Sequence, residues 1–207
     1  MRIVIISDTH GRHEALGTLS GDVLIHCGDQ FNLWDGEKDC VRRMDDWFAR
    51  QDFDRILCIG GNHDLILQSV IETEPQPFRH AIYLQDAQYE YGGLTFYGAP
   101  WTPKLRGHAF YQDDAGLQDK WAMIPTTTDV LITHTPAFSV LDKSSRGLTL
   151  GCLFLGDTLA RVRPKVHCFG HVHNSAGRCV HEGIDCINAS TVNSQLKPVH
   201  PPVVVEL

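Results

Sequence analysis

The chain begins with the stretch Arg2-Ile3-Val4-Ile5-Ile6-Ser7-Asp8-Thr9-His10, and this stretch indicates the fold class. Its apolar run over residues 2–7 is nearly continuous and does not alternate with polar residues, which is typical of a β-strand covered on both faces. Similar runs follow at residues 23–27 and 55–59. The sequence therefore predicts a buried sheet, with polar residues at the point where its first strand ends.

Helical patterns alternate with further strand-like runs along the rest of the chain. Three helical faces have apolar residues at three- and four-residue spacings: Val41, Met44, Trp47 and Phe48; Leu117, Trp121 and Ile124; and Leu155, Leu159 and Val162, the last ending before Pro164. The other predicted strands are residues 94–97, 130–133, 166–169, 186–188 and 203–207, and the predicted surface loops are 72–78 and 136–147. Because no repeat or internal boundary is visible, we expect one α/β domain over residues 1–207.

The composition excludes several classes of protein. The 207 residues are 43% hydrophobic and 21% charged, with a net charge of −7, as in a soluble globular domain. No apolar run approaches the ~18 residues of a membrane span, and the N-terminal run is too short for a signal peptide. No basic run indicates a surface for duplex nucleic acid. Seven isolated cysteines without a C-x-x-C pair are expected to be reduced, structural thiols of a cytoplasmic protein.

Polar side chains follow five of the predicted strands. These segments are Asp8-Thr9-His10, Gly28-Asp29, Gly60-Gly61-Asn62-His63-Asp64, Thr133-His134 and Gly170-His171-Val172-His173. In open α/β sheets, ligands bind just beyond the carboxyl ends of the strands. We therefore expect the polar groups of these five segments to converge in one pocket.

The chemistry of the converging set indicates a metal centre. Imidazole, carboxylate and amide ligands suit divalent ions of the Mn, Fe, Zn, Co and Ni class. Seven candidate ligands would overfill a single ion that keeps an open position. Two ions ~3.5–4 Å apart that share a bridging carboxylate fit this number, and such pairs act on phosphorus. Their positive charge would also allow an acidic protein to bind an anionic ester.

Each segment also has an ordinary structural interpretation. Gly28-Asp29 is a common turn dipeptide, and Asn62 or Asp64 could cap the helix predicted over residues 65–70. His171 and His173 are a stronger signal, because positions i and i+2 point the same way in an extended chain. The other histidines are expected to be structural or exposed, although two of them could approach the pocket, His13 and His108. That group is His13, His26, His80, His108, His167, His181 and His200.

The ordered set of motifs from Asp8 to His173 resembles the calcineurin-like metallophosphoesterase family. Other segments are similar to a branch of metallophosphoesterase-domain proteins related to brain protein 239, which is linked to class III cyclic-nucleotide phosphodiesterases. These segments are residues 97–103, 119–121, 162–165 and 187–191. The resemblance implies a four-layer α/β/β/α sandwich with two mixed β-sheets and a site for two divalent metal ions between them.

The resemblance also implies a role for each site residue. The first metal would be held by Asp8, His10, Asp29 and His173, and the second by Asp29, Asn62, His134 and His171, with Asp29 as the bridge. His63 would contact the phosphate or protonate the leaving alkoxide, and Asp64 would orient its ring. Asn32 is expected to support its loop. Some animal members of the branch have glycine at the position of His171, so its presence here favours an intact enzyme.

The reaction implied by the resemblance is direct attack on phosphorus by metal-bound hydroxide, with no covalent intermediate. A small phosphodiester such as a cyclic nucleotide is the favoured substrate, with phosphomonoesters, phosphoproteins and a non-catalytic protein-interaction scaffold as alternatives. Trp101 could either stack on a nucleobase or pack in the core. The expected substrate contacts are Asn62, His63, Trp101, Arg106 and His108.

Overall fold

A computed structural model describes residues 1–33 and 39–207. In chain order its elements are β1 (Arg2–Ile6), β2 (Ser20–His26), α1 (Asp39–Phe48), β3 (Asp52–Cys58), α2 (Leu65–Ile71), β4 (Ile82–Tyr83), β5 (Ala87–Tyr91), β6 (Leu94–Ala99), α3 (Asp114–Ala122), β7 (Val130–Thr133), α4 (Leu155–Val162), β8 (Val166–Phe169), β9 (Gly177–His181), β10 (Ile184–Asn188) and β11 (Val203–Glu206). Short 3-10 turns occur at His13–Leu16 and His173–Ser175. Among the described helices, none is long and apolar enough to cross a membrane.

The strands form two mixed sheets. The first has the order β11-β1-β2-β3-β4, in which only β11 runs antiparallel to its neighbour. The second has the order β5-β6-β7-β8-β10-β9, with parallel strands in the middle and antiparallel β5 and β9 at its edges. The predicted α/β class with two mixed sheets is confirmed.

The register of the first sheet brings three strand ends to the same level. Ile6 of β1 pairs with His26 of β2, and His26 pairs with Cys58 of β3. Because parallel strands point the same way, the segments that follow β1, β2 and β3 leave the sheet side by side. An isolated bridge between Ser7 and Ser190 joins this end of the first sheet to the corresponding end of the second.

Both faces of the central strands are buried, which explains the nearly unbroken apolar run of β1. Ile3 and Ile5 belong to a core of residues from both sheets that includes Phe96 and Ile132. Their neighbours Val4 and Ile6 belong to the core that contains the helices. This second core includes every member of the predicted faces, although Ile124 lies just after the end of α3: Val41, Met44, Trp47, Phe48, Leu117, Trp121, Ile124, Leu155, Leu159 and Val162.

The sequence prediction missed the edge of each sheet. Strands β4, β5 and β9 were not predicted, and β2 and β3 begin at Ser20 and Asp52, three residues earlier than expected. In β5 and β9, half-buried positions alternate with exposed ones, and the half-buried positions include polar residues, so the apolar signal is weak. The loops predicted at residues 72–78 and 136–147 contain no helix and no strand longer than an isolated bridge.

The turn after β2 lies against the turn after β3. Gly28 adopts a φ of +93°, and a Cβ on it would lie 2.7 Å from the carbonyl carbon of Gly60 and 2.8 Å from the amide nitrogen of Gly61. The Gly28 carbonyl also accepts a hydrogen bond of 2.9 Å from the Asp8 N–H. A side chain at this position would separate the three turns that follow β1, β2 and β3.

Gly28→Ala is therefore expected to lower the free energy of unfolding by at least about 3 kcal/mol, through a strained φ and a backbone collision. The matched control is Gly93→Ala in the β5–β6 turn, where φ is +81° and no atom lies within 4 Å of the added Cβ. That change should cost only about 1 kcal/mol, the strain of the left-handed conformation. Urea unfolding measures both values, and equal losses would contradict a close approach at Gly28.

Two buried histidines inside strands have structural roles. The Nε2 atom of His26 lies 3.0 Å from the Thr9 hydroxyl, and that of His167 lies 2.8 Å from the Thr133 hydroxyl. Burial lowers the pKa of each ring to about 3. Both rings are therefore neutral in the folded protein, as expected for histidines that stabilise the core.

The folded pKa of His167 gives a prediction with a definite sign. Between its folded pKa of about 3 and the unfolded value of about 6.5, only the unfolded chain binds this proton. The free energy of unfolding therefore falls as the pH drops below about 6.5, and His167 alone contributes a loss of about 2 kcal/mol from pH 7 to pH 5.

His167→Gln removes this titration while keeping a partner for the Thr133 hydroxyl. We expect the variant to lose about 2 kcal/mol less stability than the parent between pH 7 and pH 5, in urea titrations with chelator present. The control is His80→Gln, because His80 is exposed. The same pH dependence in all three proteins would show that His167 is not a buried neutral ring.

Candidate metal centre

The first predicted ligand set comes together at the ends of β1, β2 and β8. Asp8, His10, Asp29 and His173 each offer a ligand atom, and these atoms all lie within 4.8 Å of one another. The first three residues are at most 1% exposed, and His173 is half-buried. Two carboxylates and two imidazoles thus meet at one point near the protein surface.

Within this set, potential metal-binding atoms of His10, Asp8 and His173 lie close to one another. The Nε2 atom of His173 lies 3.2 Å from Asp8 Oδ1 and 3.2 Å from His10 Nε2. The other ring nitrogen of His10 lies 3.3 Å from the Phe31 carbonyl oxygen, to which it donates its proton. This hydrogen bond leaves a lone pair on His10 Nε2, the form in which imidazole binds a metal.

The second predicted ligand set lies directly beside the first. Asn62 Oδ1 is 2.7 Å from His171 Nδ1 and 3.0 Å from His134 Nε2. Because His134 Nδ1 donates to the Cys27 carbonyl at 2.8 Å, its Nε2 is the ring atom that faces the Asn62 oxygen, where it can carry a proton or bind a metal ion. Asp29 belongs to both sets, since its Oδ2 lies 3.4 Å from His134 Nε2 and 3.8 Å from His10 Nε2.

The buried charges indicate that this region requires positive charge. Burial raises the pKa of Asp8, but the hydrogen bond and charge of His173 outweigh it and hold that pKa well below its usual range. Burial lowers the pKa of His134, yet the Asp29 carboxylate raises it to about 9. The donor set therefore fits a bound cation, which would compensate the carboxylates in place of a proton on His134.

The backbone is left-handed at four of the seven predicted ligands. Asp8 and Asp29 have a φ of 54°, His10 of 44° and His171 of 67°. Non-glycine residues rarely adopt these angles, and strain of this kind concentrates at functional sites. It also corrects the prediction for His171 and His173, which do not lie on an extended strand. Their rings reach the two sets through a turn that leads into the 3-10 turn at His173.

His63 lies at the edge of the two sets. Its half-buried ring meets the His10 ring edge-on at 4.8 Å and the His108 ring at 6.1 Å. Its backbone N–H donates to Asp29 Oδ1 at 2.7 Å, which fixes the residue against the shared carboxylate. Burial lowers the pKa of the His63 ring, and the charge of Asp29 opposes this effect.

Asp64 does not have the expected contact. Its two carboxylate oxygens accept hydrogen bonds from the backbone N–H groups of Phe31 at 2.9 Å and Gly61 at 2.8 Å. Among the described residues it forms no hydrogen bond with His63, and its side chain does not cap α2. Asp64 instead joins the loop that follows Asp29 to the loop that contains Asn62. Burial and the charge of Asp29 raise its pKa to about 8.

The predicted substrate contacts after β6 differ in their position. Trp101 is 7% exposed, donates to Asp86 Oδ1 at 2.6 Å and has the Lys120 ammonium 4.4 Å from its ring centre, which favours the packing alternative. It lines a separate cavity of about 430 Å³. Arg106 is exposed. His108 is the loop residue whose ring contacts His63.

Two supporting residues complete the comparison with the sequence prediction. Asn32 Nδ2 donates to the His10 carbonyl at 3.2 Å, so it supports the loop as expected. Ser190 was not predicted as a site residue, although its hydroxyl donates to Asp8 Oδ2 at 2.8 Å. The sequence contained a signal for it, because Ser190 follows the predicted strand 186–188, just as the seven predicted ligands follow other strands.

Comparison with known proteins identifies the family. Residues 1–175 match the family model described as calcineurin-like phosphoesterase. The chain belongs to this family. It is 34% identical over 232 positions to human metallophosphoesterase domain-containing protein 1, covering the whole chain and 71% of that protein. A Caenorhabditis elegans UPF0046 protein is also 34% identical over 232 positions, with 100% of this chain and 81% of the relative covered.

Solved structures confirm the calcineurin-like fold. Phosphopantetheinyl hydrolase from Mycobacterium tuberculosis superimposes with a TM-score of 0.63 at 14% identity, covering 94% of this chain and 90% of that one. GAP50, described as the anchor in the inner membrane complex of Plasmodium, has a TM-score of 0.53 at 10% identity, covering 92% and 71%. Since one is named a hydrolase and the other an anchor, function must be argued from the site residues.

Because the Asp29 carboxylate belongs to both donor sets, we predict how substitutions at the site change the number of bound metal ions. After equilibration with Mn²⁺ and gel filtration, the protein should retain two ions per chain. His173→Ala and His134→Ala should each retain about one, while Asp29→Asn should weaken both ions by about 10- to 100-fold.

Elemental analysis by mass spectrometry measures these ratios, and His80→Ala is the matched control on the surface. Retention of two ions by Asp29→Asn would contradict a bridging role. Equal loss in His80→Ala would show that the ions bind elsewhere.

Proposed function

We propose that this chain is a dinuclear-metal-dependent phosphodiesterase that hydrolyses small phosphodiesters, with cyclic nucleotides as the first class to test. The observation that supports it best is the overlap of two donor sets at Asp29, whose Oδ2 faces His10 on one side and His134 on the other. Two adjacent cation positions suit displacement at phosphorus, where attacking and leaving oxygens both need stabilisation.

The bound ions would act as Lewis acids toward the phosphoryl oxygens and lower the pKa of water. The chain's own residues hold and neutralise this centre. Asp8, His10, Asp29 and His173 would hold one ion, and Asp29, Asn62, His134 and His171 the other. Hydrogen bonds from His10 Nδ1 to Phe31 and from His134 Nδ1 to Cys27 keep the Nε2 lone pairs directed at the ions.

His63 is the residue placed to act on the ester itself. Its ring is half-buried beside the first set, and its backbone is tied to Asp29, so it has little freedom to move away. The imidazole can donate a hydrogen bond to a phosphoryl oxygen or give its proton to the leaving oxygen. His108, whose ring contacts His63, is proposed to line the same entrance.

The charge around the site favours a diester. Within the described ranges, no lysine or arginine forms a hydrogen bond or ion pair with His63 or with any of the seven donors. A phosphodiester has one negative charge where a phosphomonoester has nearly two, so it needs less cationic support beyond the metals. A phosphomonoesterase and a binding scaffold are the competing functions, and the second would resemble the description of GAP50.

The native metal and the compartment belong to the same proposal. A set of imidazole, carboxylate and amide donors suits manganese, which is therefore the first ion to test. No disulfide joins the seven cysteines, all of which lie in the described ranges. This supports a reducing compartment, and we propose the cytoplasm.

Esters with different leaving groups can distinguish the two possible roles of His63, which are contact with a phosphoryl oxygen and protonation of the leaving oxygen. With Mn²⁺, the parent should hydrolyse bis-p-nitrophenyl phosphate faster than p-nitrophenyl phosphate. If His63 protonates the leaving oxygen, His63→Ala should lower kcat about 10²- to 10⁴-fold on a 2′,3′-cyclic nucleotide, whose leaving alkoxide is poor. The loss should be much smaller on the p-nitrophenyl diester, because nitrophenolate needs no proton. Equal losses on both would indicate contact with the phosphoryl group instead.

Metal content of His63→Ala should match the parent, and exposed His80→Ala should keep full activity. Faster turnover of the monoester would favour a phosphomonoesterase. Absence of turnover with Mn²⁺, Ni²⁺ and Fe²⁺ on every ester would favour the scaffold.

A further inference from the structure

The Asp8 carboxylate has one oxygen directed at the donor set and one directed away from it. Oδ1 lies 3.2 Å from His173 Nε2, inside the first set. Oδ2 accepts a hydrogen bond of 2.8 Å from the Ser190 hydroxyl, and the backbone N–H of His171 lies 3.0 and 3.1 Å from the two oxygens. The hydroxyl of Ser190 and the backbone N–H of His171 therefore fix the rotation of this carboxylate together, and Ser190 is the side chain among the two.

Asn188 holds Ser190 in place through the Ser190 backbone N–H, which donates to its side-chain oxygen. Its Oδ1 lies 2.8 Å from Ser190 Oγ and 3.2 Å from the Ser190 backbone nitrogen. Ser190 has a single hydroxyl proton, and the ionised Asp8 is a stronger acceptor than an amide oxygen. The backbone N–H of Ser190 satisfies Asn188 Oδ1, so the hydroxyl proton remains available to Asp8.

The amide nitrogen of Asn188 makes a second connection. It donates to the Val172 carbonyl at 2.9 Å and to the Leu141 carbonyl at 3.1 Å. Val172 lies between His171 of the second set and His173 of the first. Both Asn188 and Ser190 are buried, and both sit where β10 ends. The Asn188 amide thus fixes the Val172 peptide, which lies between the candidate ligands His171 and His173. The Ser190 hydroxyl contacts a third candidate ligand, Asp8, which follows β1 of the other sheet.

We infer that Asn188 and Ser190 are positioning residues of the metal centre, with different reach. Ser190 acts on the first ion alone, because its contact is with Asp8, which belongs only to the first set. Asn188 acts on both ions, because Val172 is adjacent to a ligand of each. The inference rests on the metal centre of the proposed function, but it does not depend on the substrate.

The test is titration calorimetry of Mn²⁺ into the metal-depleted full chain. Ser190→Ala should weaken one of the two ions by about 10- to 100-fold and leave the other unchanged. Ser190→Thr keeps the hydroxyl and should restore the lost affinity. Asn188→Ala should weaken both ions. Thr128→Val is the matched control, because it removes another buried hydroxyl, one that donates to the Pro125 carbonyl at 2.8 Å away from the site.

The outcomes are distinguishable. Parent-like affinity for both ions in Ser190→Ala would overturn the inference, as would equal weakening of both ions in Thr128→Val. If Asn188→Ala fails to fold, the comparison of Ser190→Ala with Ser190→Thr still tests the inference. A parent that binds two ions yet hydrolyses no phosphodiester would remove the proposed function and leave this inference standing. A parent that binds no divalent ion would remove both.

Discussion

The rest of this structure depends on two buried carboxylates, which form no hydrogen bond or ion pair with a lysine or arginine within residues 1–33 and 39–207. Asp8 and Asp29 lose nearly all contact with water, and burying such charges costs several kcal/mol each unless positive charge compensates them. The groups around them are imidazoles, an amide and a hydroxyl. A proton or a metal cation can supply the missing charge at this position. The raised pKa of His134 corresponds to compensation by a proton. The two adjacent donor sets allow compensation by metal cations instead.

The fold keeps these carboxylates where they would otherwise be unfavourable. Level ends of β1, β2 and β3 place three ligand-bearing turns side by side, and Gly28 permits the closest approach between them. Left-handed backbone at Asp8 and Asp29 adds strain, which the two extensively buried sheets around the site can sustain. The core therefore stabilises a site that would not form by itself.

The sequence was sufficient where the deciding interactions are local. Nearly unbroken aliphatic runs predicted the central strands, and the polar residues directly after them include the seven candidate ligands that the structure brings together. It was insufficient where a distant partner decides. The edge strand β4 depends on pairing with β3, the Asp64 carboxylate on Phe31, and the packing of Trp101 on Asp86 and Lys120. Residues 34–38 lie outside the described part of the chain.

The histidines show what separates a structural ring from a ligand. His26, His134 and His167 are all fully buried, so burial does not distinguish them. The Nε2 atoms of His26 and His167 face threonine hydroxyls, and a hydroxyl oxygen can accept a hydrogen bond from a neutral ring, as Thr133 does while it donates to the Thr135 carbonyl at 2.7 Å. The Nε2 of His134 faces a carboxylate and an amide oxygen, which only accept, although its Nδ1 already donates to the Cys27 carbonyl. Such a ring needs a second proton or a metal cation at Nε2, and its position after the strand, not within it, is the sequence signal of that requirement.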